Sequence, residues 1–371
     1  MTTRLRDARR ARSLSQLQLA ELTGVSRQAI AAVELGRSDP SLRLALALAS
    51  SLGTTVEELF GDGGTRPTAV VEPLAPLGRD GSRVALAPVA GRLVARPLDG
   101  ERGARSGFAT AGGLVGSRPG TVQIVGAIRP AVVVAGCDPA LALLDTPLGL
   151  CDPPVCLLWH SCSSRDALEL AADGLVHAAG IHLHDASGES YNQDALRVLG
   201  PGSRLVGFAG WRQGLVLRRD LDGHVRDVAD VAALGLRIVN REPGSEARSV
   251  LARAAARVGL DPATIAGWSS EVPGHLEVAA AIASGLADAG VASEPAARAF
   301  DLAFVPLTVE RFDLAVPPIH AGSTELRALQ SVLGSAWLRS QLAALPGYDA
   351  TGCGAEHVLD GHVFDEHAVG P

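Results

Sequence analysis

The segment 15–34, SQLQLAELTGVSRQAIAAVE, constrains the fold more than any other part of this chain. Ser15 with Gln18 three residues later is typical of a capping box, which begins a helix by satisfying its free backbone N–H groups. Gly24 permits the positive φ angle at which that helix can end, and Val25 fits the corner that follows. The apolar side of this helix is predicted to contain Leu17, Leu19, Ala20 and Leu22. The segment therefore predicts two short helices joined by a tight turn.

The second helix is predicted from about Arg27 to Glu34, with Ser26 as its cap. Helical spacing gives it a core face made of Ala29, Ile30 and Val33. Arg27, Gln28 and Ala31 project away from that face. Arg pairs well with guanine and Gln with adenine, and a helix of this kind can lie in the major groove of DNA. A helical hairpin that touches no DNA is the alternative, but the agreement of caps, turn and periodicity disfavours it.

The neighbouring sequence extends this helical pattern. A helix with a Leu/Ala stripe is predicted over about 42–52, and Thr55 with Glu58 forms a second capping box, which opens a short helix ending near Phe60. Arginines crowd the first predicted helix and follow the recognition helix: Arg4, Arg6, Arg9, Arg10, Arg12 and Arg37.

Residues 3–61, with the motif SQLQLAELTGVSRQAIAAVELGRSDPSL, resemble the Xre, or phage-repressor-like, helix-turn-helix family. The resemblance implies an all-α domain of five helices that binds double-stranded operator DNA. It also implies that Gln16 contacts a phosphate beside the groove and that Arg37 and Arg43 lie near the DNA backbone. The residues implied to face the bases are Arg27, Gln28 and Ala31.

The charge is unevenly distributed along the chain. The 371 residues carry a net charge of −7, but residues 1–60 hold eight Arg against six acidic residues, so that the remainder carries −9. Positive charge therefore lies where phosphate would be met, and a net +2 predicts weak, salt-sensitive DNA binding by a single copy. All 33 basic residues are Arg. The lack of lysine excludes pyridoxal Schiff-base chemistry and the phosphate loop that requires Gly-Lys-Ser/Thr.

Segments for export or membrane insertion are not apparent. The start, MTTRLRDARRARS, lacks the apolar stretch of a signal peptide, and no run of about 18 apolar residues occurs. We therefore expect a cytoplasmic protein whose five cysteines are reduced thiols. Cys151, Cys156 and Cys162 lie close together, but their spacing matches no common zinc pattern, so no metal site is predicted.

The length predicts two or three domains. Residues 62–82 are rich in Gly and Pro, and beyond about 131 buried strands alternate with helices, as in parallel α/β sheets. The predicted organisation is a helix-turn-helix domain over 1–61, a linker over 62–82, a small β-rich segment over 83–126, an α/β domain over 127–350 and a C-terminal tail over 351–371.

Three predicted strand-to-helix loops carry small polar residues at the helix start. They are 136–139 (GCDP), 161–164 (SCSS) and 240–245 (NREPGS). Such loops present backbone N–H groups and hydroxyls, and the helix start adds partial positive charge, so that converging loops can hold a small anion. Each loop taken alone is better explained by ordinary helix capping, but the three loops together favour an anion site.

The second half of the chain resembles the periplasmic-binding-protein-like domain of molybdate-binding proteins and regulators. The resemblance covers about 130–345 and rests on motifs such as GCDPALALL, NREPGSEAR and FVPLTVERFDL. It implies a type 2 fold of two α/β lobes around a ligand cleft. Lobe one would hold about 127–176 with the C-terminal helices, and lobe two about 180–305. The chain would cross between them near 177–183 and return near 304–314.

The resemblance also implies the ligand. Molybdate or tungstate fits the family best, while HSCSS and GSEAR depart from the family's usual loops and leave a larger ligand open, such as a molybdenum–pterin cofactor. No cofactor is required. The implied pocket residues are Cys137, Asp138, Ser161, Ser163, Ser164, His182, Tyr191, Asn192, Arg212, Gln213, Ser245, Arg248 and His275.

Other chemistry is weaker in the sequence. His182 and His184 share one face of a strand, where a hydrogen-bonded pocket histidine is favoured over a metal pair. His357, His362 and His367 are expected in a solvated tail. Asp185 and Glu189 could do acid–base work, but no nucleophile motif accompanies them, and no catalytic residue is predicted.

These features together predict a one-component transcriptional regulator. We expect a homodimer that binds operator DNA and senses a small anion, and we expect no enzymatic activity. An enzyme fused to a DNA-binding domain and a ligand-storage protein are the alternatives; the intact helix-turn-helix argues against storage.

Overall fold

The computed structural model describes residues 3–60, 66–100, 103, 109–184 and 191–358. Asp185, Glu189, His362 and His367 lie outside these residues. The chain divides into two compact units, Met1–Ala69 and Val70–Pro371. Each unit has its own hydrophobic core.

The N-terminal unit is all helical, as predicted. Its helices are α1 (Thr3–Ala11), α2 (Gln16–Thr23), α3 (Arg27–Glu34), α4 (Leu42–Leu52) and α5 (Val56–Phe60). The capping box of Ser15 and Gln18 is present, and Gly24 ends α2 with φ 70°. Ser26 caps α3 by accepting a hydrogen bond from the backbone N–H of Ala29. The turn chemistry that the sequence predicted is therefore confirmed.

The core of this unit corrects one prediction. Leu19 and Ala20 are buried, whereas Leu17 and Leu22 are 55% and 60% exposed. The inward side of α2 follows the i, i+3, i+4, i+7 spacing through positions 16, 19, 20 and 23. Positions 17 and 22 fall outside that stripe, so hydrophobicity alone assigned them to the wrong side.

The C-terminal unit opens with a six-stranded sheet. Its strands are β1 (Thr68–Val70), β2 (Glu72–Pro73), β3 (Arg83–Val89), β4 (Arg92–Pro97), β5 (Gly113–Val115) and β6 (Thr121–Ile124), in the order β1-β6-β5-β3-β4-β2. The predicted linker is therefore wrong for 68–73. Val71 and Leu74 are buried there, because later strands supply apolar partners that local composition does not reveal.

The remaining strands form one ten-stranded sheet, in the order β12-β11-β13-β10-β14-β9-β7-β8, with β15 and β16 also paired to β10. These strands are β7 (Ala131–Ala135), β8 (Cys156–His160), β9 (Ala178–Ile181), β10 (Arg204–Leu217), β11 (Ile238–Arg241), β12 (Glu271–Val272), β13 (Ala289–Ser293), β14 (Ala303–Val316), β15 (Tyr348–Asp349) and β16 (Glu356–Val358).

Within the described residues of this unit, nine α-helices pack against this sheet. They are α6 (Asp145–Gly149), α7 (Ser164–Ala172), α8 (Gln193–Leu199), α9 (Val228–Ala233), α10 (Glu246–Arg257), α11 (His275–Ala283), α12 (Glu294–Ala299), α13 (Thr324–Leu333) and α14 (Ala336–Ala343). Strands β7–β9 with α6–α8, α13 and α14 form the first lobe, and β11–β13 with α9–α12 form the second lobe. The predicted two-lobed α/β architecture is confirmed.

The crossing between lobes differs from the prediction at one end. β10 and β14 are long antiparallel strands that pair from Arg204↔Val316 to Leu217↔Ala303 and run through both lobes. The return strand was placed correctly, but the outgoing crossing is β10 rather than 177–183. β9 and α8 stay in the first lobe, where Ala195 and Leu196 join its core. The segment 204–217 forms one continuous strand.

The predicted C-terminal tail also begins too early. β16 pairs with β10 over Arg204–Val206, so that His357 lies in a strand rather than in a solvated tail. Within the described part of the chain, no helix is both long and apolar enough to span a bilayer.

Candidate functional site

The N-terminal unit presents the predicted DNA-facing residues on its surface. Arg27 and Gln28 at the start of α3 are exposed, and Ala31, one turn later, is half-buried. Arg37 and Arg43 are exposed beyond the end of α3. Their exposure leaves these side chains available to bases and phosphates.

Gln16 has a second role that the sequence did not reveal. Its amide donates to the fully buried Glu34 at 2.8 Å. Arg9 donates to both carboxylate oxygens of Glu34, at 2.6 and 3.1 Å, and to the carbonyl of Leu14. Burial opposes the charge of Glu34, but these hydrogen bonds hold its pKa below the usual value. Arg9 is therefore committed to this buried pair, which joins α1, α2 and α3, and is not available to DNA.

The three predicted loops converge in the C-terminal unit. They line one cavity of about 400 Å³ between the lobes, to which the first lobe contributes Cys137, Ser161 and Ser163 and the second contributes Arg241 and Glu242. The carboxyl ends of β7, β8 and β11 meet here, as expected for a cleft at the edge of parallel strands.

Three of the predicted pocket residues also cap helices. Asp138 accepts from the backbone N–H of Ala140, Ser163 caps α7 and Ser245 caps α10. Asp138 also accepts a hydrogen bond from the Tyr348 hydroxyl at 2.5 Å. Burial raises the pKa of Asp138 to about 6 despite this bond. The capping explanation therefore holds for these side chains, whatever else they do.

Beside the cavity, Cys137, His182 and His275 form a buried cluster. The Cys137 Sγ lies 3.3 Å from the His182 Nε2 and 3.8 Å from the His275 Nε2. The backbone before Cys137 packs closely on β9, since a Cβ on Gly136 would lie 2.9 Å from the Gly180 carbonyl oxygen. Cys137 and His182 belong to the first lobe and His275 begins α11 in the second, so the cluster spans the cleft.

The hydrogen-bond partners of the two Nδ1 atoms indicate which ring nitrogens of His182 and His275 carry protons. The His182 Nδ1 lies 3.2 Å from the Glu310 Oε2, so that this nitrogen donates to the carboxylate. The backbone N–H of Ser293 donates to the His275 Nδ1. Burial opposes a charge on His182, but Cys137 and Glu310 raise its pKa to about 10. Burial, with Arg241 and His182 nearby, lowers the pKa of His275 well below its usual value.

These protons bear on metal binding. By position alone the cluster could hold an ion, because its three donor atoms lie within 4.8 Å of one another. However, a neutral imidazole whose Nδ1 accepts a hydrogen bond carries its proton on Nε2. His275 therefore directs an N–H, not a lone pair, at the cluster. A ligating histidine ordinarily donates its other N–H to a partner, as His182 does and His275 does not.

The floor of the cluster contains buried polar groups without hydrogen bonds. Trp211 and Gln213 lie on one face of β10, and Trp211 pairs with Glu310 on β14. Among the described residues, the Trp211 Nε1, both amide atoms of Gln213 and the Glu310 Oε1 have no hydrogen-bond partner. Such groups are costly to bury unpaired, which points to a polar molecule or ordered water beside them.

Other predicted pocket residues serve the fold. Ser164 accepts from the backbone N–H of His182, Arg212 is paired with Glu294, and Arg248 donates to the Arg241 carbonyl and to Glu271. Asn192 joins the Leu183 backbone to Asp313. Tyr191 donates to the Val309 carbonyl. None of these five lines the interlobe cavity.

His184 does not join His182 in a metal pair. Its ring packs on Tyr191 with centroids 4.3 Å apart, and its Nε2 lies 3.9 Å from both Glu246 and Glu310. The favoured interpretation of His182 as a hydrogen-bonded pocket histidine agrees with its contacts.

The two arginines predicted for the pocket, Arg212 and Arg248, do not line the cavity. Of the charged side chains that line it, Arg241 is the cation, and Asp166, Glu242 and Glu277 are carboxylates. Arg241 donates to both oxygens of Glu242, at 2.8 and 2.9 Å. A bare dianion would therefore meet a cation that is already paired.

Sequence reasoning missed Glu310, Arg241 and Trp211. Glu310 lies in the strand motif VERFDL, where an acidic residue next to Arg311 looks like a solvent-facing residue. Arg241 lay within the third loop but was passed over in favour of Arg248.

Known protein families match the two units separately. A helix-turn-helix profile matches residues 5–59, and the profile of the PBP superfamily domain matches residues 150–334. An uncharacterised helix-turn-helix-type transcriptional regulator of Methanocaldococcus jannaschii is 43% identical over 60 residues, 16% of this chain and 91% of that protein. The uncharacterised protein YvgK of Bacillus subtilis is 27% identical over 223 residues, 60% of this chain and 71% of that protein.

Among solved structures, a putative phosphate transporter substrate-binding protein of Clostridium perfringens with bound phosphate covers 57% of this chain and 96% of its own, at 14% identity and a TM-score of 0.43. The phosphate is a property of that protein.

The fold and the matched profiles define a DNA-binding regulator with a binding-protein-like domain. The chain belongs to the helix-turn-helix family of transcriptional regulators. The regulators named among its relatives support the expectation that the chain is not an enzyme.

Proposed function

We propose that this protein is a one-component transcriptional regulator that binds operator DNA through α3 and a small ligand between the lobes of its α/β domain. The observation that carries the sensor part is the convergence of three helix-start loops on one cavity beside the Cys137–His182–His275 cluster. Ligand binding changes operator affinity only through different affinity for two arrangements of the protein.

For the ligand we propose an anion, either molybdate or tungstate or a larger molybdenum–pterin cofactor. Helix-start N–H groups and the family resemblance support the oxyanion. One observation favours the larger ligand. A cavity of about 400 Å³ falls within the size range of pockets for small organic molecules, roughly 300–1,000 Å³. The three carboxylates that line it beside the paired Arg241 oppose the negative charge of either ligand, so that backbone N–H groups must supply most of the attraction.

Thermal unfolding of the full-length chain tests the ligand. All four Trp residues lie beyond residue 150, so that intrinsic fluorescence reports the C-terminal unit. A ligand at 100 times its Kd should stabilise the folded form by about 2.7 kcal/mol. Molybdate and tungstate should raise the melting temperature if the oxyanion is correct, with sulfate as the control anion.

Matched serine variants assign the response to the cavity. Ser161→Ala removes an exposed hydroxyl that lines the cavity and should reduce the ligand-induced shift. Ser331→Ala, on the exposed side of α13, should leave it unchanged. A shift with molybdenum–pterin but not with either oxyanion rejects the oxyanion. No shift with any of them rejects this class of ligand.

We further propose that the regulator binds DNA as a homodimer on a two-fold operator with half-sites about one helical turn apart. The support is the modest charge of residues 1–60 and an apolar surface on α4, where Leu42 and Leu46 are 73% and 56% exposed one turn apart. Leu42→Ser should lower the dimer fraction in analytical ultracentrifugation, and Leu22→Ser, on α2, is the control. An unchanged dimer in Leu42→Ser rejects this contact.

A further inference from the structure

Two imidazole nitrogens face the sulfur of Cys137, and the other hydrogen bonds of the two rings indicate that both nitrogens carry a proton. The Ser293 N–H occupies the His275 Nδ1, so the single ring proton of neutral His275 lies on the Nε2 that faces the sulfur. Glu310 accepts the Nδ1 proton of His182 and stabilises a cationic ring, which directs a second N–H at the sulfur from 3.3 Å. Two N–H donors stabilise a thiolate, and the thiolate is the reactive form of cysteine.

Cys353 shows the opposite arrangement within the same unit. Its Sγ donates to the Leu333 carbonyl at 3.4 Å, which requires the thiol. Burial also raises the pKa of Cys353. Both sulfurs belong to buried residues, so that burial does not distinguish them; the partners do.

Cys137 can be reached through the interlobe cavity. It lines this cavity together with Cys162, while Cys137 itself is only 4% exposed. A small, neutral reagent is therefore favoured over a large one. The three carboxylates in the lining disfavour an anionic oxidant.

We propose that Cys137 is a modification site, whose thiolate is oxidised by a small hydroperoxide that enters the interlobe cavity, with His182 supplying the proton to the leaving oxygen. This site is additional to the binding of the ligand proposed above.

The Cys137 sulfur attacks the terminal oxygen of the hydroperoxide, ROOH, and forms an S–O bond while the O–O bond breaks. The departing RO⁻ takes the proton from the His182 Nε2 and leaves as ROH. The products are Cys137 sulfenic acid and neutral His182. The sulfur loses two electrons and the peroxide gains them.

The modification would act where the lobes meet. The sulfur contacts His275 of the second lobe at 3.8 Å, and an added oxygen must either push this imidazole away or rotate out of the cleft. Any resulting change in operator affinity rests on the proposed function, whereas the oxidation itself does not. The chemistry is therefore tested first, without DNA.

The test treats the reduced full-length protein with limiting hydrogen peroxide, traps sulfenic acid with dimedone and measures each of the five cysteines by peptide mass spectrometry. Cys137 should carry most of the adduct, although Cys151 and Cys156 are more exposed. His182→Gln should slow its labelling by at least about tenfold, because the leaving oxygen loses its acid. His224→Gln, an exposed histidine, should leave the rate unchanged.

A second variant keeps the test interpretable if His182→Gln fails to fold. Glu310→Gln keeps the shape of the side chain but removes the charge behind His182, and should slow labelling by a smaller factor, with native tryptophan fluorescence. The proposal is wrong if Cys137 stays unlabelled, if Cys162 or Cys353 labels as fast, or if both variants label like the wild type. One equivalent of tightly bound metal in the purified protein, released only by chelation, would also overturn it, because Cys137 would then be a ligand.

Operator affinity of the oxidised protein is measured last. If Cys137 oxidises as expected but operator affinity stays the same, the modification site stands and its link to regulation fails.

Discussion

In the N-terminal unit, the residues proposed to meet DNA lie between Gln16 and Arg43 and act from the exposed surface of local helices. In the interlobe cluster, Cys137 and His275 are 138 positions apart and His182 and Glu310 are 128 apart, and all four are buried. The first site depends on short-range capping and periodicity. The second exists only after two lobes have assembled. A substitution that unfolds one unit should therefore leave the fold of the other intact.

The largest expected effect comes from Arg9→Ala. It leaves the fully buried Glu34 without its main partner, and removal of one member of a buried pair typically costs about 3–5 kcal/mol. The N-terminal unit should lose helicity by circular dichroism and lose DNA binding. The unfolding midpoint by fluorescence should not move, because no Trp lies in that unit. A shared shift of both signals would contradict the independence of the units. Arg10→Ala, on the exposed side of α1, is the control.

A smaller effect is expected from Asp138→Asn in the cluster's own lobe. Burial raises the pKa of Asp138 to about 6, against about 3.9 in an unfolded chain. The folded form therefore binds more protons than the unfolded form between these values, so this group's contribution to stability falls as pH rises from about 4 to 6, by up to about 3 kcal/mol.

The difference in unfolding free energy between Asp138→Asn and the wild type isolates the contribution of Asp138. Burial lowers the pKa of His177 to about 3, and its contribution therefore rises with pH over the same window. Chemical denaturation followed by fluorescence at pH 4, 5, 6 and 7 gives the free energy of unfolding of each protein. The difference between the two free energies should change with pH. Parallel curves would mean that Asp138 titrates normally.

The smallest effect concerns affinity alone. Gln28→Ala should weaken operator binding by about 1–3 kcal/mol and relax the base preference at one position. Arg43→Ala should weaken binding to all sequences equally and reduce its salt dependence. Fluorescence anisotropy with selected and scrambled DNA separates the two outcomes. Equal losses on both DNAs for Gln28→Ala would remove it from the base-facing set.

What could be predicted from sequence follows the same division. The caps at Ser15, Ser26 and Thr55 and the turn at Gly24 are confirmed because their partners lie within a few residues. In the second lobe, the sequence predicted that the loop 240–245 lies at the cavity, but not that Arg241 and Glu242 line it. The role of Glu310 could not be read from the sequence, because the pairing of β10 with β14 determines which side of the strand faces inward.

Errors in the N-terminal unit have the same physical origin. Arg9 looked like one more surface arginine beside Arg6 and Arg10, yet it is the partner of a carboxylate 25 positions away. Leu17 and Leu22 looked like core residues because they are apolar. Composition cannot identify which side of a short helix its neighbours cover.

The pairing of β10 with β14 has one further consequence. A single ladder of backbone hydrogen bonds runs through both lobes. The lobes are therefore joined by paired strands rather than by a flexible loop. Rotation of one lobe against the other must twist the ribbon, with the register irregularities at Gly207/Ala209 and Gln213/Gly214 as its softest points. At Gly214 a side chain would lie 2.1 Å from the Val305 carbonyl oxygen. Opening of the cleft between the lobes would therefore be opposed by elastic twisting distributed along β10 and β14.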